Sequence, residues 1–427
     1  MAGSIYAGEG MTYFLLVSAA FLAALYATGL KYLLHNRYAL LIPDFAFATI
    51  LLLLVAREVQ EGKLTRRDTI PFLLAVIAYL VIGIAQFANP NVPGLVAGLE
   101  GFRKTCLYVS PALIGLYLRW SPGTATRWVR VLAIGTVPLC VYAVKQALAP
   151  SAFDFQIPDQ NAAGDAVYNV FGAFRATSLL GSPFALGFLG NVVMALGLYL
   201  AAARSSAPWV WVVVCSGVAA IVVSLTRVSV LGGLLVAFVG PLMILRAHGW
   251  AVRAAAGIIL IVLVGMAISM TPVGEEVVRS LDLRYLDEDR AYGRIEGYDK
   301  GLTELARNPL IGYGVGSAGD GLESYFGNSV FLPSSHNVFL KVGFELGIAG
   351  LAAFLFLCIY WARIAIRRYQ LAQSREERAL IGLAGCLFLV FVLQGCSGSG
   401  IDNFPSNAIT FFLMGVTAGL KAPWAST

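Results

Sequence analysis

Uninterrupted apolar stretches of about 20 residues recur along the whole chain, and no other feature limits its fold so strongly. About 20 helical residues are needed to cross roughly 30 Å of hydrocarbon. Stretches of this kind lie near residues 11–30, 38–56, 70–87, 105–119, 129–147, 178–203, 208–225, 228–245, 254–271, 338–362, 379–396 and 408–423. The pattern predicts an all-α polytopic membrane protein of about twelve transmembrane helices. Composition agrees: 58% of the residues are hydrophobic, 13% are charged and the mean hydropathy is +0.77. A soluble domain needs more polar surface than that. The 427 residues would suit two or three soluble domains. Hydropathy instead makes residues 1–427 a single integral membrane domain.

The first stretch follows MAGSIYAGEG, which contains no Lys or Arg. A secretory signal normally carries a basic leader, so residues 11–30 are expected to be a retained helix. The six cysteines stand singly in or beside apolar spans, without a C-x-x-C pair. Small apolar packing is their plain reading, and no metal or redox centre is expected of them.

The net charge is +6, and its placement matters more than its size. With the N-terminus inside, sixteen basic residues fall in cytoplasmic connections and eight outside, the long 272–337 segment set aside. That asymmetry follows the positive-inside rule, which excludes long loops. The basic balance therefore reflects topology, and nucleic acid is not an expected partner.

One connection stands apart. Residues 272–337 are net acidic, contain an amphipathic stretch at RIEGYDKGLTELA and continue into the turn-rich NPLIGYGVGSAGDG. A connection this long is usually functional or disordered, and its tyrosines argue against disorder. It is read as an extracytoplasmic loop between helices 9 and 10, a subdomain carrying part of the active site. The connection at 148–175 lies on the same side. Transporters usually show paired halves with binding residues at mid-membrane, and neither is evident.

Cations at the edge of an apolar span are costly and rarely accidental. Arg103, Lys104, Arg175 and Arg227 occupy such edges, Arg294 lies in the long loop, and His336 opens the span SSHNVFLKVGFELGIAGL. Topology puts all of them at the outer end. Any one could be an interfacial anchor, but their convergence, with a histidine among them, points to a site for a phosphorylated, membrane-held ligand. His336 begins a helix, whose dipole disfavours imidazolium and leaves the ring able to accept a proton. Asn337, Lys341 and Glu345 recur every four residues on one face. The Lys341–Glu345 pair reads as structural, and Asp44 is a candidate partner for a buried base. Two motifs fall short. Gly312-Tyr-Gly-Val-Gly316 has the glycines of a phosphate loop without its G-K-[ST] ending. Asp287-Glu288-Asp289 contains a D-x-D pattern, but a solvated acidic run is its plainer reading.

Several segments resemble the O-antigen ligase and polysaccharide polymerase superfamily. They are RATSLLGSPFALG at Arg175, SLTRVSVLGGLL at Arg227, the run from Gly293 to Gly319, and SSHNVFLKVGFELGIAGLAAFL. The last is similar to the family's H-N-x-x-L…E-x-G-x-x-G pattern. The resemblance implies a GT-C-like membrane enzyme in the bacterial cytoplasmic (inner) membrane, with its active site facing the periplasm or outside. It implies transfer of a glycan from an undecaprenyl diphosphate carrier to an acceptor glycan or glycolipid, without a metal or other cofactor. It makes Arg227, Arg294 and His336 the expected catalytic residues. Arg175, Arg103, Lys104 and Asn337 are expected to bind substrate. NPNVPGLVAGLEGFRKTCLYVSPALIG resembles the exopolysaccharide polymerases, so a repeat-unit polymerase is the first expectation. A ligase attaching finished glycan to lipid A-core is the second, and a transporter or flippase the third. Partners would be the lipid bilayer and, for a polymerase, a flippase and a chain-length regulator.

Overall fold

The computed structural model describes residues 2–61, 69–155, 169–170, 173–203, 207–245, 288–319, 332, 337–396, 398 and 400–420. Helices dominate them. In chain order they are α1 (Ala2–Leu33), α2 (Ile42–Glu61), α3 (Ile70–Ala85), α4 (Leu95–Thr105), α5 (Pro111–Leu118), α6 (Pro122–Leu148) and α7 (Pro183–Ala202). They continue as α8 (Trp209–Val223), α9 (Arg227–Gly240), α10 (Glu288–Arg307), α11 (Val338–Leu371), α12 (Arg375–Gly395) and α13 (Ser406–Gly419). The described residues also hold one antiparallel pair of two-residue strands, β1 (Asn169–Val170) and β2 (Ala173–Phe174).

Local sequence explains where these helices begin. Ser121 Oγ accepts from Thr124 N at 3.3 Å, and Pro122 then opens α6 where no N–H is needed. Ser374 likewise accepts from Glu377 N at 3.0 Å to start α12, in a Ser-x-x-Glu frame. Pro183 opens α7 directly after Ser182.

Eight described helices are long and apolar enough to cross a membrane, and the shorter apolar helices Trp209–Val223 and Ser406–Gly419 join them. The chain is a membrane protein, and these ten coincide with ten of the twelve expected spans. The expected span at 254–271 lies outside the described residues. The one at 105–119 needs correction. It begins in the last residue of α4, passes a 3-10 turn at Leu107–Val109 and ends as α5, eight residues long. Eight residues rise only about 12 Å. Pro111 ends the preceding turn, and α5 is sheltered by protein instead of crossing on its own. It lies against α13, where Gly115 faces the Phe412 carbonyl and Gly415 faces the Ala112 carbonyl so closely that neither could carry a Cβ.

Between Ala185 and Leu200 every residue of α7 is buried, making it the axis of the bundle. It packs on α6, α8, α9 and α12. Gly190 and Gly217 bring α7 and α8 into backbone contact, a Cβ on Gly190 falling 2.8 Å from Gly217 O. Lipid supplies no hydrophobic drive between helices, so close backbone packing of this kind holds them together. An aromatic cluster ties α1, α6 and α13, with Trp128 5.1 Å from Phe21 and 4.6 Å from Phe412.

Candidate functional site

Two groups of polar residues gather at one end of the bundle. The first is built on the turn between α8 and α9. Leaving β2, the chain pairs Ala176 N with Val223 O at 3.1 Å, which fixes Arg175 against the end of α8. Arg175 is 7% exposed. Its Nε donates to Ser224 O at 3.3 Å, its terminal nitrogen to Thr226 Oγ1 at 3.1 Å, and its guanidinium lies 5.1 Å from the Phe184 ring centre. Arg227 follows at once as the first residue of α9, half-buried. A cation at a helix N-terminus opposes the helix dipole, so helix stability does not explain it.

Two non-glycine residues in this group have left-handed backbones, Leu225 at φ +49 and Ser178 at φ +53. Each costs energy that the surroundings must hold in place. Ser178 is held by its N–H to Gln146 Oε1 at 2.7 Å and its hydroxyl to Leu139 O at 2.7 Å. On α7 and α9, Asn191 and Ser229 are fully buried, and their side-chain polar atoms have no hydrogen-bond partner among the described residues.

The second group surrounds a break in α11. Gly347 leaves the helix at φ +68, ψ −173, dividing a short front half, Val338–Leu346, from the long remainder. A broken helix within a membrane must pair its freed backbone groups with other protein groups. The segment after α10 does this. Tyr313 N donates to Phe344 O at 2.8 Å, Gly314 N to Glu345 O at 2.9 Å, and Ile348 N to Pro309 O at 2.7 Å. Gly312, at φ +71, sits so close that a Cβ would fall 2.5 Å from Gly347 N. The segment is held from α3 and its following turn, by Gln86 Nε2 to Ile311 O at 2.8 Å and Asn89 Nδ2 to Gly312 O at 3.2 Å. The glycine run that looks like an incomplete phosphate loop is therefore the filler of a broken helix. Burial, and donation to Glu304 at 2.8 Å, push the Tyr313 phenol up from its ordinary value.

The front half-helix carries buried charge. Lys341 Nζ donates to both oxygens of Asp402, at 2.7 and 2.8 Å, and lies 3.8 Å from Glu345 Oε1. Glu345 also accepts from Thr105 Oγ1 at 2.6 Å and from Ala318 N at 3.2 Å. This network joins α4, the 308–319 segment, α11 and the turn before α13. Tyr108 stacks on Phe404 beside it, ring centres 4.2 Å apart.

Both groups lie level with the C-terminal end of α1. Gly29 packs against Leu179, four residues past Arg175, a Cβ there falling 3.0 Å from Leu179 Cβ. Leu40, just after α1, accepts through its carbonyl from Arg103 at 2.8 Å. Arg103, Lys104, Arg175 and Arg227 thus share one end. Arg103 is already engaged, with Nε 2.5 Å from Asp44 Oδ2 and its guanidinium 5.7 Å from the Tyr108 ring centre, so Asp44 does partner a buried base. Lys104 is half-buried beside it. Asn337 Oδ1 accepts from Phe339 N at 2.9 Å and Leu340 N at 3.0 Å, capping the front half-helix. The backbone puts Arg294 in the first half of α10. His336 lies outside the described residues, as do Asp287 and most of the loop from 320 to 336.

Sequence reading passed over Asp402 and Thr105. Asp402 offered one signal, a lone acid beside an apolar span. Thr105 offered none, since only its partner gives it meaning.

Residues 189–355 match the family model described as O-antigen ligase, Wzy_C. The match supports the O-antigen ligase and polymerase superfamily for that part of the chain. The match covers α7 to the middle of α11 and so includes the α8–α9 turn, α10 and the broken helix. This is a superfamily of glycosyltransferase-like bacterial membrane enzymes that act on lipid-linked polysaccharides. No curated protein matches the chain.

Proposed function

We propose that this O-antigen ligase-type chain transfers a glycan from an undecaprenyl diphosphate-linked donor to an acceptor sugar hydroxyl, at the outer face of the cytoplasmic membrane and without a metal. The observation that carries the reading is the arginine pair at the α8–α9 turn, Arg175 held by Ser224 and Thr226 with Arg227 next in the chain. Guanidinium forks bind phosphate oxygens in pairs, and a sheltered site strengthens each contact. The carbon–oxygen bond from the anomeric carbon to the diphosphate breaks, and its electron pair leaves on the diphosphate. Arg227 and Arg294 stabilise that charge, with Arg175 fixing the turn. The acceptor oxygen forms the new bond from the opposite face, inverting the centre, and His336 takes its proton. Asn337 follows His336 in the chain and caps the front half-helix. Lys104 and Arg103 complete the cationic end, Arg103 acting through its pair with Asp44. In this reading residues 272–337 are the extracytoplasmic subdomain, and Arg294 and His336 are its contribution to the active site.

Donor binding measured alongside turnover in purified protein tests this assignment. Arg227→Lys keeps the charge but loses the fork, and should lower turnover on the order of a hundredfold. Arg294→Ala should weaken binding and turnover together. His336→Ala should bind donor and fail to transfer it, and turnover should persist in EDTA. A His336→Ala protein that binds donor poorly but turns over what it binds at the normal rate would remove the base assignment.

Polymerase is the first reading, on the resemblance of residues 89–115, which form α4 and its flanks beside the charged network. The ligase reading has the description of the matched family in its favour. Deleting the gene separates them. Loss of a polymerase leaves single repeat units attached to the final acceptor, whereas loss of a ligase leaves long chains on the undecaprenyl carrier.

A further inference from the structure

Five arginines lie between the last third of α11 and the first turn of α12. Two of them are committed inside the fold. Arg368 is buried and donates to Leu420 O at the end of α13, and Arg378 donates to Ala372 O at 2.8 Å. Arg363 and Arg367 differ. Both are exposed, one turn apart on α11, and neither makes a hydrogen bond or ion pair among the described residues. With Ile359, Ala362, Ile366 and Gln370 they line a shallow groove of about 660 Å³. Ile359 is 66% exposed and Ile366 61%, and the exposed strip runs back along the helix to Phe356.

Aliphatic surface thus extends along the apolar span from two guanidiniums that have no partner among the described residues. From Phe356 to Arg367 the helix rises about 16 Å, the reach of much of an acyl chain. Side chains four apart on a helix are neighbours, and two forks at that spacing can share one phosphate. Charge complementarity at a membrane edge favours a negatively charged lipid over a neutral one. We propose that Arg363 and Arg367 form a headgroup site for an anionic phospholipid, whose chain lies along Ile359 and Phe356. The site steadies the end of α11 away from the break at Gly347, and it does not depend on the glycan-transfer reading.

The test is native mass spectrometry of the purified full chain in mild detergent with dioleoyl phosphatidylglycerol or dioleoyl phosphatidylcholine. The wild type should retain phosphatidylglycerol over phosphatidylcholine by on the order of tenfold. Arg363→Gln with Arg367→Gln should abolish that preference, and Arg363→Lys with Arg367→Lys should keep part of it. Arg127→Gln removes an exposed charge from α6 and should leave the preference intact. Equal retention by the wild type and the double Gln variant overturns the proposal, and so does an equal fall in Arg127→Gln, which would mean diffuse charge. Displacement of the lipid by millimolar inorganic phosphate would mean a free-phosphate site. Dimers lost in the double Gln variant would make the occupant a second copy of the chain. Either outcome overturns the lipid assignment.

Discussion

At the residue scale, the cost of buried charge decides what surrounds it. Lys341 is 1% exposed and Glu345 fully buried, and neither could be held there alone. Asp402 supplies the close carboxylate, while Thr105 and Ala318 N satisfy the oxygens of Glu345. Removing one partner of a buried pair costs more than the pair is worth, because the other charge is stranded. Lys341→Met should therefore lower stability by roughly 3–5 kcal/mol. Lys341→Met combined with Glu345→Gln should lose less than the sum of the single changes, by about 0.5–3 kcal/mol. Thermal unfolding of the four proteins in one detergent measures this. Strict additivity would show that the two groups are not energetically coupled. Arg103 follows the same rule, since its pair with Asp44 joins α4 to the start of α2.

At the element scale, the break in α11 is the feature on which the site depends. A straight helix would satisfy its own backbone and leave Tyr313 N, Gly314 N and Pro309 O without their partners in α11. The break exchanges those bonds with Tyr313, Gly314 and Pro309, which fixes α10 and the front half-helix as one assembly. Two glycines make this possible. Gly347 and Gly312 both have positive φ, and each faces backbone where a Cβ would stand. Gly347→Ala and Gly312→Ala should each destabilise the protein by about 1–3 kcal/mol or more. Gly123→Ala gives the contrast, because nothing lies within 4 Å of a Cβ there. In the first turn of α6 it should be neutral or stabilise by up to about 1 kcal/mol. Melting temperatures of the three variants decide the matter. A harmless Gly347→Ala would mean that the break is not enforced by backbone contact.

At the scale of the whole molecule, the proposed donor site at one end of the bundle depends on which way the chain faces. The sixteen-to-eight bias in basic residues predicts that residues near 320 face outward and those near 370 face the cytoplasm. Single cysteines introduced at Asp320 and Gln370, in a chain whose own cysteines are replaced, should react differently with an impermeant maleimide. In intact cells only the cysteine at 320 should label. Labelling at 370 alone would reverse the orientation and remove the outer-face reading. The spans themselves were legible because lipid imposes its demand locally. A stretch must be long and apolar whatever its neighbours are, so α1 to α3 and α11 to α13 stand in the sequence almost as they fold. Cations at span edges were legible for the same reason, and Arg103, Lys104, Arg175 and Arg227 do share one end. What sequence alone could not decide depends on segments distant in the chain. Residues 105–119 read as a span until α13 is seen beside the short α5. Asp402 reads as a stray acid until Lys341 reaches it, and Gly312–Gly316 as a failed phosphate loop until the freed carbonyls of α11 meet it. Hydrophobic length is a property of one segment, whereas a broken helix and a buried ion pair exist only when another segment completes them.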